Sequence, residues 1–193
     1  PSSQPLKFVI GGDLQTLFET KMRVDILKKI KKESYLVRGI QAIKFVKCYL
    51  DPNTIDNPWL RPNYILVSFG FELILKSRMI ALSLALDEPA LNKELKKIGH
   101  DFVSLFNALG EKELKHIGLK KNIKKELYKN DYNYFVIKTV DDKTIEIENL
   151  NDIRYSDHDR SPNDAEHLKI IGYTKLILAI SEKIRSVNSN PRA

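Results

Sequence analysis

One stretch of the chain, from Arg154 to His167, is rich in side chains that can do chemistry. The candidate side chains in it are Arg154, Tyr155, Asp157, His158, Asp159, Arg160 and His167. An arginine and a histidine together can cleave RNA without a metal. The histidine moves a proton at the 2′-hydroxyl or the leaving oxygen, and the arginine stabilises charge on the phosphate. The other interpretation is a charged surface loop that precedes a helix, so catalysis and a plain loop both stay open.

A second candidate is the tripeptide Gly99-His100-Asp101, which precedes a helix with an apolar stripe. His100 and Asp101 have side chains that can bind a ligand. The simpler interpretation is a turn followed by a helix start, where the Asp101 carboxylate complements the positive end of the helix dipole.

Other common chemistries lack their motifs. The histidines His100, His116, His158 and His167 are scattered, and the chain has one cysteine, Cys48. No two histidines stand four residues apart on a predicted helix, so we predict no metal site. Gly11-Gly12 lacks the spacing of a Walker or dinucleotide motif, and no GxSxG elbow occurs. The sequence therefore predicts no cofactor and excludes acyl-transfer hydrolases of that type.

The composition predicts one globular domain over residues 1–193, since 42% of the residues are hydrophobic and 30% are charged. The net charge of +7 favours an anionic partner such as RNA, DNA or an acidic protein. Lysine-rich proteins without such a partner are common, so the charge alone does not show whether an anionic partner exists. The single cysteine and a polar N-terminal segment without signal-peptide features favour the reducing cytoplasm.

The segment from Tyr64 to Leu86 is almost apolar enough to span a membrane. It contains Glu72, Lys76 and Arg78, each of which costs about 2.5–3.5 kcal/mol at a bilayer centre. We therefore predict a buried helix of a soluble core and no membrane partner.

Apolar residues at steps of three and four predict a mainly α-helical protein. The predicted helices are the segment after Gly11-Gly12 to about Lys32, then Tyr35–Leu50, Asn63–Leu86, the stripe Leu91–Leu109 with an interruption allowed at Gly99-His100, Glu113–Lys129, and Pro162–Ile184. Gly110 is a predicted stop, and residues 186–193 are a predicted frayed tail. In the first helix, the row Lys21, Lys28 and Lys32 is interpreted as a solvated face.

Between the helices the hydrophobic pattern changes to period two. Tyr132–Val140 and Thr144–Glu148 are rich in β-branched and aromatic residues and are joined by Asp141-Asp142-Lys143. They predict a β-hairpin insertion over about residues 132–148. A two-stranded hairpin is marginal alone in water, so it must lie on the helical body.

Two runs and a later tripeptide carry a family resemblance. Phe71-Glu72-Leu73-Ile74-Leu75-Lys76 is followed by Leu95-Lys96-Lys97-Ile98-Gly99-His100-Asp101-Phe102 and Leu105, and later by Ile153-Arg154-Tyr155 before the closing helix. This order resembles the HEPN family, whose members have a core helix with a Glu-xxx-Lys step and then a Gly-His-Asp helix start. The resemblance covers about residues 36–109 and 153–184, and leaves the first helix and the hairpin as additions.

The resemblance implies an up-and-down helical bundle that commonly dimerises. It also implies a link to RNA, nucleotides, or bacterial defence and toxin–antitoxin systems, with a cognate antitoxin or another protein as partner. Ribonuclease members carry an arginine, four to six residues, and then a histidine. Arg160 and His167, with six residues between them, fit this spacing, whereas Ser161 and Pro162 depart from the usual motif.

Three hypotheses follow. The first is a HEPN-like module that binds RNA, a nucleotide or a partner protein and works as a homodimer, with Arg154, Tyr155, His158, His100 and Asp101 as candidate binding residues. The second is a metal-independent endoribonuclease, in which Arg160 holds the phosphate and His167 acts as acid or base. The third is a purely structural helical interaction protein whose basic charge serves solubility.

Overall fold

A computed structural model of the chain describes residues 11–49, 60–83, 86–128, 132–149 and 164–189, with side chains within 21–48, 63–83, 86–127, 133–147, 149 and 169–189. The elements in these residues are α1 (Gly11–Tyr49), α2 (Leu60–Leu82), α3 (Glu88–Ile98), α4 (Phe102–His116), β1 (Leu119–Tyr128), β2 (Tyr132–Thr139), β3 (Thr144–Glu148) and α5 (Asp164–Ser189). The strands form one antiparallel sheet in the order β1-β2-β3. The prediction of a mainly α protein with an inserted hairpin is confirmed, with one strand more than predicted.

The first two predicted helices are one continuous helix, α1, of 39 residues. No proline or glycine lies between Lys32 and Tyr35, so the backbone has no reason to leave the helix there. The C-terminal half of α1 buries the predicted row of Leu36, Ile40, Ile43 and Val46. The predicted separation into two helices was wrong.

Among the described side chains in the N-terminal half of α1, three apolar residues at steps of four are exposed. Met22, Ile26 and Ile30 are 49%, 50% and 60% exposed. A helix of 39 residues is about 58 Å long, whereas the 23 residues of α2 extend over about 35 Å. Because α2 is so much shorter, it cannot cover α1 along its whole length.

The two long helices α1 and α2 touch through glycines. A Cβ atom added to Gly39 would lie 2.6 Å from the carbonyl oxygen of Gly70 and 2.8 Å from Cγ1 of Ile74. A Cβ atom added to Gly70 would lie 2.9 Å from both the carbonyl oxygen of Gly39 and Cδ1 of Ile43. The closeness of the two backbones therefore depends on the absence of a side chain at both positions.

Helix α2 lies at the centre of the fold, and every residue from 71 to 80 is buried. Its Phe71 ring is stacked on Phe102 of α4 with ring centroids 5.9 Å apart, and the Phe102 centroid lies 5.6 Å from that of Phe135 in β2. These rings connect the helices to the sheet. The predicted placement of the hairpin on the helical body is confirmed.

The predicted interruption of the Leu91–Leu109 stripe at Gly99-His100 is also confirmed. Helix α3 begins after Asp87, whose side chain accepts a hydrogen bond from the Ala90 amide, and it ends at Gly99 with φ of 56°. Gly110, the predicted stop, is a kink with φ of 76° inside α4, which continues to His116.

The predicted basic helix Glu113–Lys129 was wrong, because Leu119–Tyr128 is strand β1. Leu119, Ile123 and Leu127 are spaced by four, which suits a helix, but four is also a multiple of two. In β1 all three therefore lie on one sheet face, opposite Thr139, Ile137 and Asn133 of β2. Pairing with β2 decided between two structures that this spacing allows equally.

Helix α5 closes the core with a row of buried residues, Ile170, Tyr173, Ile177, Ile180 and Ile184. Burial, together with the nearby Glu146 of β3, raises the pKa of Tyr173 well above its usual value. The predicted frayed tail was wrong at its start, because the helix continues to Ser189 and Asn188 is buried. The predicted start of this helix at Pro162 lies outside the described residues.

In the described residues, no helix combines the length and the apolar character needed to cross a membrane.

Replacing Gly39 with alanine will destabilise the fold, because the added methyl group meets backbone atoms of α2 that cannot move aside freely. We expect a loss of about 1–3 kcal/mol in the free energy of unfolding, measured by urea denaturation.

Gly172→Ala in α5 is the matched control for Gly39→Ala, since a Cβ at Gly172 meets nothing within 4 Å. It should stabilise the helix by up to about 1 kcal/mol. Equal effects of the two substitutions would contradict the close approach of α1 and α2.

Candidate functional site

The structure describes only part of the predicted site. Arg154, Tyr155, His158, Arg160 and the side chain of His167 lie outside the described residues, so the Arg160–His167 pair stays a prediction. His100 and Asp101 are described, and they lie at the junction between α3 and α4.

Asp101 is the N-cap of α4. Its two carboxylate oxygens accept hydrogen bonds from the backbone amides of Val103 and Ser104 at 3.2 and 3.0 Å, and from Ser104 Oγ at 2.5 Å. These contacts satisfy amides that the first helical turn leaves without partners. The geometry favours the helix-start interpretation of Asp101.

His100 is held by a buried carboxylate. Its Nδ1 lies 2.9 Å from Oε2 of Glu72, and the other Glu72 oxygen accepts a hydrogen bond from Lys76 Nζ at 2.6 Å. Lys76 also donates to the carbonyl oxygen of Gly99 at 2.5 Å. The Glu-xxx-Lys step and the Gly-His-Asp turn, which are distant in sequence, are therefore one hydrogen-bonded network.

The network joins α2 to the turn between α3 and α4 and thus has a structural role. The Glu72 and Lys76 side chains are 3% and 9% exposed, and the His100 side chain is 31% exposed. Because a carboxylate only accepts hydrogen bonds, His100 Nδ1 is the nitrogen that donates to Glu72. His100 lines neither the cavity of about 530 Å³ nor that of about 430 Å³ in the described part of the chain.

The feature best suited to hold a ligand is a basic cavity of about 430 Å³. Residues of α1, α2 and α5 line it: Lys21, Asp25, Lys28, Lys29, Lys32, Arg78, Ile80, Ala81 and Asn188. Among these lining residues, four lysines and an arginine stand with one carboxylate, and Glu113 pairs with the arginine from outside the lining. We call this feature the basic cavity.

The most deeply buried polar groups of the basic cavity are Lys28, Arg78 and Asn188, which are 7%, 6% and 8% exposed. Lys21 and Lys29 are exposed, and Lys32 is half-buried. The buried groups therefore form the inner end of the cavity and the exposed lysines form its rim. The interpretation of Lys21, Lys28 and Lys32 as a solvated face was wrong for Lys28.

Arg78 is held in one orientation at the inner end. Its Nε donates to Oε1 of Glu113 at 2.5 Å, and its Nη1 donates to Oδ1 of Asn188 at 3.0 Å. The second bond fixes which end of the Asn188 amide is oxygen. The Asn188 Nδ2 group is buried and has no hydrogen-bond partner among the described residues.

An unpaired buried N–H group costs about 1–3 kcal/mol relative to one with an acceptor. A ligand with oxygen acceptors and negative charge would complement the lysines and Arg78 that line the cavity. A cation would be repelled by the same residues. In the described part of the chain no three histidine, cysteine, aspartate or glutamate side chains are grouped to hold a metal ion.

The sequence contains a weak indication of this cavity. Lys21, Lys28 and Lys32 recur at i, i+7 and i+11, which places them on one helix face. Arg78 and Asn188 are remote from them in sequence, so only the packing of α1, α2 and α5 shows that the five side chains meet.

Comparison with known proteins identifies no relative, since no protein-family model, no curated protein and no solved structure matches the chain. The resemblance to the HEPN family therefore stays a prediction.

Replacing Lys76 with methionine will leave the Glu72 carboxylate buried without its lysine. Breaking one partner of a buried ion pair destabilises a fold by about 3–5 kcal/mol. Urea denaturation of the purified variant measures the loss.

The double variant Glu72→Leu with Lys76→Met removes both charges and retains most of the apolar volume. We expect it to be more stable than Lys76→Met alone. A double variant as unstable as the sum of the two single variants would contradict the coupling of Glu72 and Lys76.

Proposed function

We propose that the protein is a HEPN-like helical module that binds RNA, and that the basic cavity is its phosphate-binding site. One observation carries the proposal: Lys28 and Arg78, from two different helices, are buried with Asn188 in a cavity whose rim is made of lysines. The net charge of +7 attracts a polyanion to the same molecule.

Burial of the charged groups supports binding over a role in solubility. A lysine that serves solubility alone extends its ammonium group into water, whereas Lys28 is 7% exposed and lines a cavity. Charges interact more strongly where water is largely excluded than at an open surface. A phosphate in the cavity would therefore interact with donors that water screens less than it screens the lysines of the rim.

RNA phosphates suit the rim as well as the inner end. Lys21, Lys29 and Lys32 lie within about three turns of α1, so several phosphates of one strand can contact them. Binding of this kind releases counterions from the strand, and its affinity falls as salt rises.

Replacing Lys21 and Lys29 with glutamine will weaken RNA binding without touching the core, because both side chains are exposed at the rim. We expect roughly tenfold weaker binding of a single-stranded RNA at low salt. The slope of log affinity against log salt should shrink by about 0.7 for each phosphate that the variant no longer neutralises. Fluorescence anisotropy at several salt concentrations measures both quantities.

The matched control is Lys44→Gln with Lys47→Gln, two exposed lysines on the same helix. Lys44 lies about 22 Å along α1 from Lys29, and the change in net charge is identical. Equal weakening by the two double variants would assign the binding to net charge and overturn the role of the cavity.

The same samples separate binding from cleavage. Absence of any salt-dependent RNA binding at low salt would refute the proposal and favour a purely structural interaction protein. RNA that is degraded in EDTA by the unmodified protein, but not by His167→Ala, would replace it with the endoribonuclease hypothesis.

A further inference from the structure

We infer that the basic cavity takes a terminal phosphate, a phosphate monoester at the end of an RNA strand or on a mononucleotide. The inference rests on the proposed RNA binding and specifies which part of the ligand enters the cavity. Size, the distribution of burial and the chemistry of the inner end support it.

The volume of the cavity suits the end of an RNA strand better than a strand that runs through it. A volume of about 430 Å³ lies in the lower part of the range of small-molecule sites, which is about 300–1,000 Å³. The nearly buried Lys28, Arg78 and Asn188 form its inner end, and the exposed lysines form its rim. A phosphate inside a strand is esterified on both sides, so the strand would have to enter the cavity and leave it again through the same rim. A terminal phosphate has one ester link and enters alone.

The inner end presents fixed donors. Hydrogen bonds to Glu113 and Asn188 hold the Arg78 guanidinium, and Asn188 Nδ2 is a buried donor without a partner among the described residues. A phosphate oxygen in the cavity is an acceptor for the Arg78 guanidinium. Asn188 Nδ2 has almost no solvent-accessible surface, so a phosphate oxygen contacts it once the side chains around it shift. The uncharged Asn188 amide adds a donor that does not depend on net charge.

The charge of the cavity favours the monoester further. A monoester carries a charge of about −1.5 to −2 at pH 7 and has three strong acceptor oxygens. An internal diester carries one negative charge. Arg78 is paired with Glu113, and Lys32 lies 3.6 Å from Glu33, but the lining residues still carry more positive than negative charge and attract the more highly charged group more strongly.

The test compares single-stranded RNAs of one sequence that end in a 5′-phosphate, a 3′-phosphate or hydroxyl groups, together with adenosine monophosphate. Anisotropy measures the RNAs and calorimetry measures the mononucleotide. We expect one phosphorylated end to bind at least about tenfold more tightly than the hydroxyl end.

Asn188→Asp is the diagnostic variant, because it retains the size of the side chain and the oxygen that accepts from Arg78. It replaces the Nδ2 donor with a carboxylate oxygen that repels phosphate. The preference for the phosphorylated end should disappear, whereas the Lys21→Gln, Lys29→Gln double variant should weaken RNAs with both kinds of end. Asn122→Asp, an exposed change of equal charge on β1, should leave the preference intact.

Circular dichroism shows whether Asn188→Asp folds. If it does not, Ala81→Asp introduces a carboxylate from a half-buried position of the same cavity and leaves the Arg78 hydrogen bonds in place. The same loss of preference is expected.

The outcomes separate this inference from the proposed function. Salt-dependent RNA binding with equal affinity for all ends would overturn the terminal-phosphate inference and leave RNA binding intact. Binding of adenosine monophosphate without binding of any RNA would overturn RNA binding and support the phosphate site. Absence of all binding would overturn both.

Discussion

Helix α2 carries three charged residues, Glu72, Lys76 and Arg78, inside a run in which every side chain is buried. Each of them needs a partner, because an unpaired charge in a protein interior is far more costly than a paired one. Glu72 and Lys76 pair with each other and with the α3–α4 junction, and Arg78 pairs with α4 and α5. The need to neutralise α2 thus determines where the surrounding helices meet it.

The same requirement produces the basic cavity. Arg78 is paired with Glu113 of α4, and this contact anchors it in the core. It also donates to Asn188, and both residues line the cavity. A ligand at the inner end would therefore meet a guanidinium whose orientation is already fixed by folding. Preorganised donors of this kind lose little freedom on binding, which favours affinity for a small anionic group.

Parts of the fold and the site could be predicted from local pattern. The ion pair of Glu72 and Lys76, the interruption at Gly99 and the hairpin each depend on residues that are close in sequence. The contact between His100 and Glu72, and that between Arg78 and Asn188, join residues on separate elements. Spacing contains no information about such contacts, since they arise only when the helices pack.

By itself the sequence determined the helical class, the buried faces of α2 and α5, and the positive charge, because periodicity and composition act locally. The tertiary structure decided the features for which local pattern allows two outcomes. Leu119, Ile123 and Leu127 suit a helix or a strand equally, and pairing with β2 made a strand. Lys28 lies on a row that looks solvated, and the packing of α1 against α2 and α5 buried it in the cavity that we propose as the binding site.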